Sequence, residues 1–413
     1  SLMPKAVAPR LSLMMFLNYV VWGSWYVTIG TYLTQTLQFS GTQAGAVFGT
    51  SALACMISPF FVGLIADRFF AAERVMCALH LIGAVLLYLV STAKTFPAVY
   101  LLMLAYCLCF FPTLALTNSL TLRNVRNPAS EFPRIRLFAT IGHIVINVII
   151  GSLQMERSAT PFLIAAGASI VMALYCLTLP HTPPKAKDEA SSWRTAIGLD
   201  ALVMMKDRSF AVFVIASVLA CIPLAFYFSF TNPYLNESGV VNAAGKMTLG
   251  QVAEIVMMLL MPIIFRRFPL KTILLLGLGA WSLRYTTLAF GNAGDGMWLF
   301  YGAILLHGIC YDFFFMTGQL YTDQTAPAHL RGTAQGFIQF LTYGVGMFIG
   351  SLLSGTAVDY FTTTTATGAV VRNWNGFWLS SAIGAFVIFL FVAVLFQSRG
   401  RVQSPEATAA TGD

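Results

Sequence analysis

Twelve times in this chain the residues run apolar for about as long as a helix needs to cross a bilayer, roughly 20 residues. The runs lie near 11–34, 43–66, 74–93, 97–122, 135–154, 160–180, 209–235, 247–265, 272–291, 297–322, 332–358 and 374–398. Inside hydrocarbon each backbone N–H and C=O must be paired within its own segment, so each run is expected to be a helix. With 57% of its 413 residues hydrophobic and only 10% charged, the chain carries more apolar surface than a soluble core could hide. The expected class is therefore an all-α membrane protein with twelve transmembrane helices.

The polar residues exclude several functions. A net charge of +8 raises nucleic-acid binding, but the basic residues are scattered through short loops and form no basic face interleaved with aromatics, so no nucleic-acid partner is expected. All seven cysteines fall within apolar runs and lack the spacing of a zinc site or a disulfide framework, and no His-rich cluster suggests another metal. No Gly-x-x-x-x-Gly-Lys loop points to ATP, and no large soluble stretch is left to host chemistry. We expect no cofactor, no metal and no enzyme, with the first apolar run serving as an uncleaved start for insertion.

Lys and Arg positions set the orientation. With the N-terminus inside, 18 basic residues fall on the cytoplasmic side and only Lys94, Arg157, Lys246 and Arg372 outside, so both termini are expected in the cytoplasm. The longest cytoplasmic connection separates the helices six and six, which gives a bundle over 1–180, a linker over 181–208, a second bundle over 209–398 and a flexible cytoplasmic tail over 399–413. In the linker Trp193, Ala196, Ile197, Ala201 and Met204 share one face, interrupted by Asp200, of a helix that would lie at the membrane surface, with a solvated linker free of lipid contact as the other reading.

Seven ionisable residues interrupt the apolar runs: His80, Arg136, His143, Glu254, Arg284, His307 and Asp312. A charge at bilayer depth costs at least ~2.5 kcal/mol on insertion scales, so such residues usually face a watery path. A carrier is the natural reading. Arg136, Thr140 and His143 stand at i, i+4 and i+7 and share a helix face. Two readings of Arg136 stay open, one facing a cavity and one snorkelling to the rim. Gln251 and Glu254 are neighbours on another helix, and an amide beside a carboxylate can read a polyhydroxylated solute, although Glu254 could instead pair with Arg284 for structure. His307 and Tyr311 are one turn apart and could sandwich a planar ring, with Asp312 beside them as a proton carrier or as a bridge between helices. The first run adds Asn18, Tyr19, Trp22, Trp25 and Tyr26, while Asn118 and Thr113 serve equally well for helix-to-helix hydrogen bonds. His80 reads as structural.

The halves repeat weakly. Pro59 precedes the basic turn at Arg68, and Pro262 precedes that at Arg266 and Arg267; Phe110-Phe111-Pro112-Thr113 and Phe313-Phe314-Phe315-Met316-Thr317 occupy matching places. Six plus six helices in parallel repeats resembles the major facilitator superfamily, in which the halves rock around a central site. Gly63-x-x-x-Asp67-Arg68 resembles that superfamily's cytoplasmic turn, with Asp323 and Arg331 flanking the equivalent turn in the second half. The resemblance implies that Gly63, Asp67, Arg68, Asp323 and Arg331 are gate elements.

A narrower resemblance rests on Trp22-Gly23-Ser24-Trp25, on Phe132-Pro133-Arg134-Ile135-Arg136 with Thr140-Ile141-Gly142, on Gly198-Leu199-Asp200-Ala201 and on Tyr311-Asp312-Phe313-Phe314. Together, in order and spanning the chain, these look like the nucleoside:proton symporter family. The resemblance implies a carrier in the cytoplasmic (inner) membrane that imports nucleosides with protons, and a monomer is expected because each chain can build its own pathway. The same resemblance implies substrate contacts at Arg136, Thr140, Gln251 and Glu254; on the residues themselves Trp22, Trp25, His143, Phe228, Asn232, His307 and Tyr311 are the further candidate contacts, with proton coupling expected at Asp312 or Glu254. One departure stands out: Ala225 and Phe228 replace polar amides and leave Asn232 as the amide on that line, which keeps a sugar or other polyol open as the solute. A membrane receptor that binds without transporting is the reading outside the transport class.

Overall fold

Every expected run is helical. In this computed structural model, which describes residues 7–184, 193–398 and 400 and not the side chains of Gly63, Asp67 and Trp193, the first six long helices are α1 (Val7–Tyr26), α2 (Gly41–Ala66), α3 (Ala72–Thr92), α4 (Phe96–Asn124), α5 (Pro128–Ser152) and α6 (Thr160–Cys176). The second six are α7 (Arg208–Glu237), α8 (Ala243–Arg267), α9 (Leu270–Phe290), α10 (Met297–Thr325), α11 (Ala328–Tyr360) and α12 (Trp374–Leu395). Ten of the twelve are long and apolar enough to cross a membrane by length and composition alone. The 17-residue α6 is apolar but shorter, and α1 breaks its apolar run with Arg10 and Asn18.

Large apolar side chains cover the outside as well as the core. Val85, Leu174, Leu259 and Val394 are among many exposed ones, as expected where lipid replaces water. Inside the first unit, Leu11, Met14 and Met15 of α1 meet Met76 of α3, Leu116 and Leu120 of α4, Ile135 and Ala139 of α5 and Met172 of α6. The N-terminus of α2 is closed by a capping box, in which Ser40 Oγ accepts from the Gln43 N–H and Gln43 Oε1 from the Ser40 N–H.

Several helices loosen where polar or aromatic side chains gather. Asp312–Met316 of α10 and Phe340–Gly346 of α11 form π-helical turns, as do Val62–Ala66 at the end of α2 and Tyr32–Thr36 after α1. Such turns cluster at functional sites because an extra residue per turn re-aims the side chains.

Two compact units emerge, one of residues up to Ile197 together with Phe228–Gly245, the other of Gly198–Tyr227 with Lys246 onward. The division therefore cuts the linker, α7 and the first turn of α8. The cause is a polar network, described below, that ties the end of α7 to the loops of the first unit. The linker also differs from the single surface helix expected of it. Trp193–Ala196 is one helical turn, a left-handed turn follows at Gly198 (φ 73°), and Leu199–Lys206 is a 3-10 helix. Ala201 and Met204 are buried in the second unit, which leaves Leu202 and Val203 as the exposed apolar pair. A short antiparallel hairpin, Thr362–Thr364 with Val370–Arg372, joins α11 to α12 and was not anticipated. The tail beyond Gly400 lies outside the described residues.

Candidate functional site

In the first unit α1 lies tightly against α5. A Cβ added at Gly142 would sit 2.4 Å from the Phe16 carbonyl oxygen, so only glycine permits this approach. The contact brings the α1 aromatics onto the Arg136, Thr140 and His143 face, where all three side chains are half-buried. The Arg136 guanidinium rests 4.6 Å above the centre of the Tyr19 ring, so it is anchored on an aromatic face. Trp22 meets His143 edge-on at 6.4 Å, with Tyr26 at 5.2 Å and Phe111 at 5.9 Å. Its Nε1–H is buried and makes no hydrogen bond among the described residues. A donor left in that condition costs about 1–3 kcal/mol, which an incoming acceptor would recover. Tyr26 extends the aromatic line to Phe228 at 6.0 Å.

Two expected contacts belong elsewhere. Trp25 is only 1% exposed and donates from Nε1 to the Tyr106 hydroxyl at 3.2 Å, which is packing between α1 and α4. Asn232 is fully buried: its Oδ1 accepts from Thr31 Oγ1 at 2.5 Å, and its Nδ2 donates to Glu156 Oε1 at 2.7 Å. The same Glu156 oxygen accepts from Asn236 Nδ2 at 3.2 Å and the Ala244 N–H at 2.8 Å. Nearby, Arg157 donates to Gln35 Oε1 and to the Asn236 carbonyl, both at 2.9 Å. Glu156 escaped the sequence reading because it sits in a loop between apolar runs, where a carboxylate draws no notice. Asn18 and Thr113 bond each other at 3.4 Å, the helix-to-helix alternative, and His80 stays structural, with Nδ1 3.5 Å from Ser169 Oγ.

In the second unit a second close approach sets the geometry. A Cβ at Gly308 would lie 2.5 Å from the Ala253 carbonyl oxygen, so α10 presses on α8 and carries His307 to Glu254. His307 Nε2 is 3.4 Å from Glu254 Oε2, and its Nδ1 is 3.1 Å from Nη1 of Arg284 on α9. Arg284 is fully buried, with its guanidinium 3.3 Å above the Tyr227 ring, and Tyr227 stacks on His307 at 5.9 Å and 17°. The rings continue from His307 to Tyr311 at 5.7 Å and on to Phe315 at 5.3 Å. Tyr311 shares a hydroxyl hydrogen bond with Tyr343, a partner across the π-helical turn of α11 that the sequence reading did not name. Asp312 is 1% exposed, and its Oδ2 has no hydrogen-bond partner among the described residues. Gln251 stands one turn before Glu254, and both are half-buried.

Ala225, where a polar amide was missed, packs against Gly350 of α11, so a larger side chain would collide with that helix. Of the expected gate residues, Arg68, Asp323 and Arg331 are exposed at helix ends, while the side chains of Gly63 and Asp67 lie outside the described residues. Glu73, beside Arg74, takes the linker instead: it accepts from His181 Nδ1 at 2.7 Å and from the Thr182 N–H at 3.0 Å. Among the described residues no cluster of His, Cys, Asp and Glu could hold a metal. Each cluster sets aromatic faces beside hydrogen-bonding and ionisable side chains, a chemistry that suits a flat solute bearing hydrogen-bond donors.

Comparison with known proteins agrees with this chemistry. The model of the nucleoside H+ symporter family matches residues 5–401. YegT of Escherichia coli (strain K12), provisionally named a nucleoside transporter, is 38% identical over 97% of this chain and 95% of its own length. The xanthosine permease of the same organism is 34% identical over 95% of both chains. The crystal structure of the nucleoside transporter NupG superposes with a TM-score of 0.86 at 29% identity, covering 95% of this chain and 100% of that one.

Proposed function

The chain belongs to the nucleoside H+ symporter family, and from that premise we propose that it brings nucleosides into the cell together with protons by alternating access. It is a multi-pass membrane transporter with the major facilitator superfamily fold, not an enzyme. The observation that carries the reading is the run Arg284, His307 and Glu254, ionisable side chains bonded in series inside apolar helices and flanked by Tyr227 and Tyr311. Such a run is costly in a membrane unless it serves a solute or ion.

Each unit holds a recognition cluster of its own in this account. In the first, Arg136, Thr140, His143 and Trp22 offer donors and aromatic faces, with Phe228 as an apolar wall and with Trp25 and Asn232 as supports. In the second, Gln251 and Glu254 take hydroxyls or base N–H groups, while His307 and Tyr311 stack on the ring. Asp312 carries the proton: it is buried in α10 and its Oδ2 has no hydrogen-bond partner among the described residues, so a proton taken up outside could be held there and released to the cytoplasm. Gly63, Asp67, Arg68, Asp323 and Arg331 close the cytoplasmic side. The protein works as a monomer in the inner membrane with both termini in the cytoplasm.

A sugar or other polyol is the second reading, favoured by the apolar Phe228 beside Tyr26. Counterflow in proteoliposomes with labelled uridine, adenosine, xanthosine and a panel of monosaccharides separates the two. Exchange of nucleosides and not of sugars supports the first reading. Exchange of sugars alone replaces it, and saturable binding without any flux makes the protein a receptor.

A further inference from the structure

We propose that Arg284 is a positioning residue for solute recognition: it fixes His307 as a donor toward Glu254 and so keeps that carboxylate as the acceptor that selects solutes bearing hydroxyl or N–H donors. The inference rests on the reading above that Glu254 touches the solute.

The argument is one of donors and acceptors. A guanidinium has five N–H donors and no acceptor. With Nη1 of Arg284 3.1 Å from Nδ1 of His307, that ring nitrogen must accept, so it carries no proton. The proton of the neutral ring then sits on Nε2, the atom 3.4 Å from Glu254 Oε2. The carboxylate thus faces a donor in the protein. Reversing the tautomer would set a bare nitrogen against a carboxylate oxygen and leave Arg284 facing an N–H, which disfavours both contacts. Tyr227 holds the set in register, since Arg284 lies over its ring at 3.3 Å while His307 stacks on the same residue at 5.9 Å. Arg284 is fully buried whereas the Glu254 side chain is 25% exposed, so the arginine acts through the histidine and only the glutamate is reachable.

The test uses the purified full-length protein and reads affinity from ligand-dependent thermal stabilisation, for uridine and for its 2′,3′-dideoxy analogue, which lacks two donors. Arg284→Lys and Arg284→Gln are made in the parent and in a His307→Gln background, whose amide always carries a donor whatever Arg284 does. We expect the Arg284 variants to weaken uridine binding by about fivefold or more in the parent, within the range of coupling between contacting residues. The preference for uridine over the dideoxy analogue should shrink with it, and both effects should largely vanish in the His307→Gln background. Equal losses in both backgrounds, an unchanged preference, or a folded His307→Gln protein that binds no uridine would overturn the role given to Arg284. Glu254→Gln serves as the separate check: if it binds uridine like the parent, the reading of Glu254 itself fails, whatever Arg284 does.

Discussion

His307 brings Nε2 within 3.4 Å of Glu254 Oε2, and this pairing sets the character of the second unit's cluster. It joins a buried histidine to a half-buried glutamate in helices that are otherwise apolar. Glu254 is thereby held by one partner from α10 while part of its surface stays accessible.

Glu254→Gln removes a charged acceptor and keeps the shape. Hydrogen bonds to charged groups contribute about 1.5–3 kcal/mol, so nucleoside affinity should fall by roughly ten- to a hundredfold. Ligand-dependent thermal shift of the purified variant measures this directly, and the unliganded midpoint shows whether the fold is kept.

Arg136 is held over Tyr19 in the first unit. Cation–π contacts contribute about 0.5–1 kcal/mol at exposed sites and more when dry, so Tyr19→Leu should weaken nucleoside binding by a few-fold. Arg136→Ala should weaken it further, because both the anchor and the donors are lost. An Arg136→Ala protein with the parent's affinity in equilibrium binding would place this arginine outside recognition.

Glu156 gathers three donors on one oxygen, from Asn232, Asn236 and the backbone of Ala244. Glu156→Ala removes that acceptor from Asn232 Nδ2 and the Ala244 N–H, while Asn236 Nδ2 keeps the Asn232 carbonyl and Oδ1; a buried donor left unsatisfied costs about 1–3 kcal/mol. A lower thermal midpoint in detergent is expected, larger than that of Glu156→Gln, which retains an accepting oxygen. Equal midpoints for the alanine variant and the parent would show that the network contributes nothing to stability.

The spans were legible because hydropathy is local: the run expected at 374–398 is the helix Trp374–Leu395, and that at 160–180 is Thr160–Cys176. Ionisable residues inside those spans were legible for the same reason, since each stands out against its own neighbours. What escaped was contact between distant segments. Nothing near Asn232 announces Glu156, 76 residues earlier, so an amide expected to face solute serves the protein instead. Tyr343 becomes visible only when a π-helical turn sets it against Tyr311. Helical spacing alone carried the linker helix through Gly198, where a Cβ would sit 2.4 Å from the Thr333 carbonyl oxygen and the backbone turns left-handed.

The central claim, that buried titratable groups couple proton movement to nucleoside entry, is tested most directly by uridine uptake into proteoliposomes under an imposed pH gradient, acid outside. The parent should concentrate uridine above equilibrium, and Asp312→Asn should exchange uridine across the membrane without concentrating it. Accumulation by Asp312→Asn equal to that of the parent, or a parent indifferent to the gradient, would contradict the account.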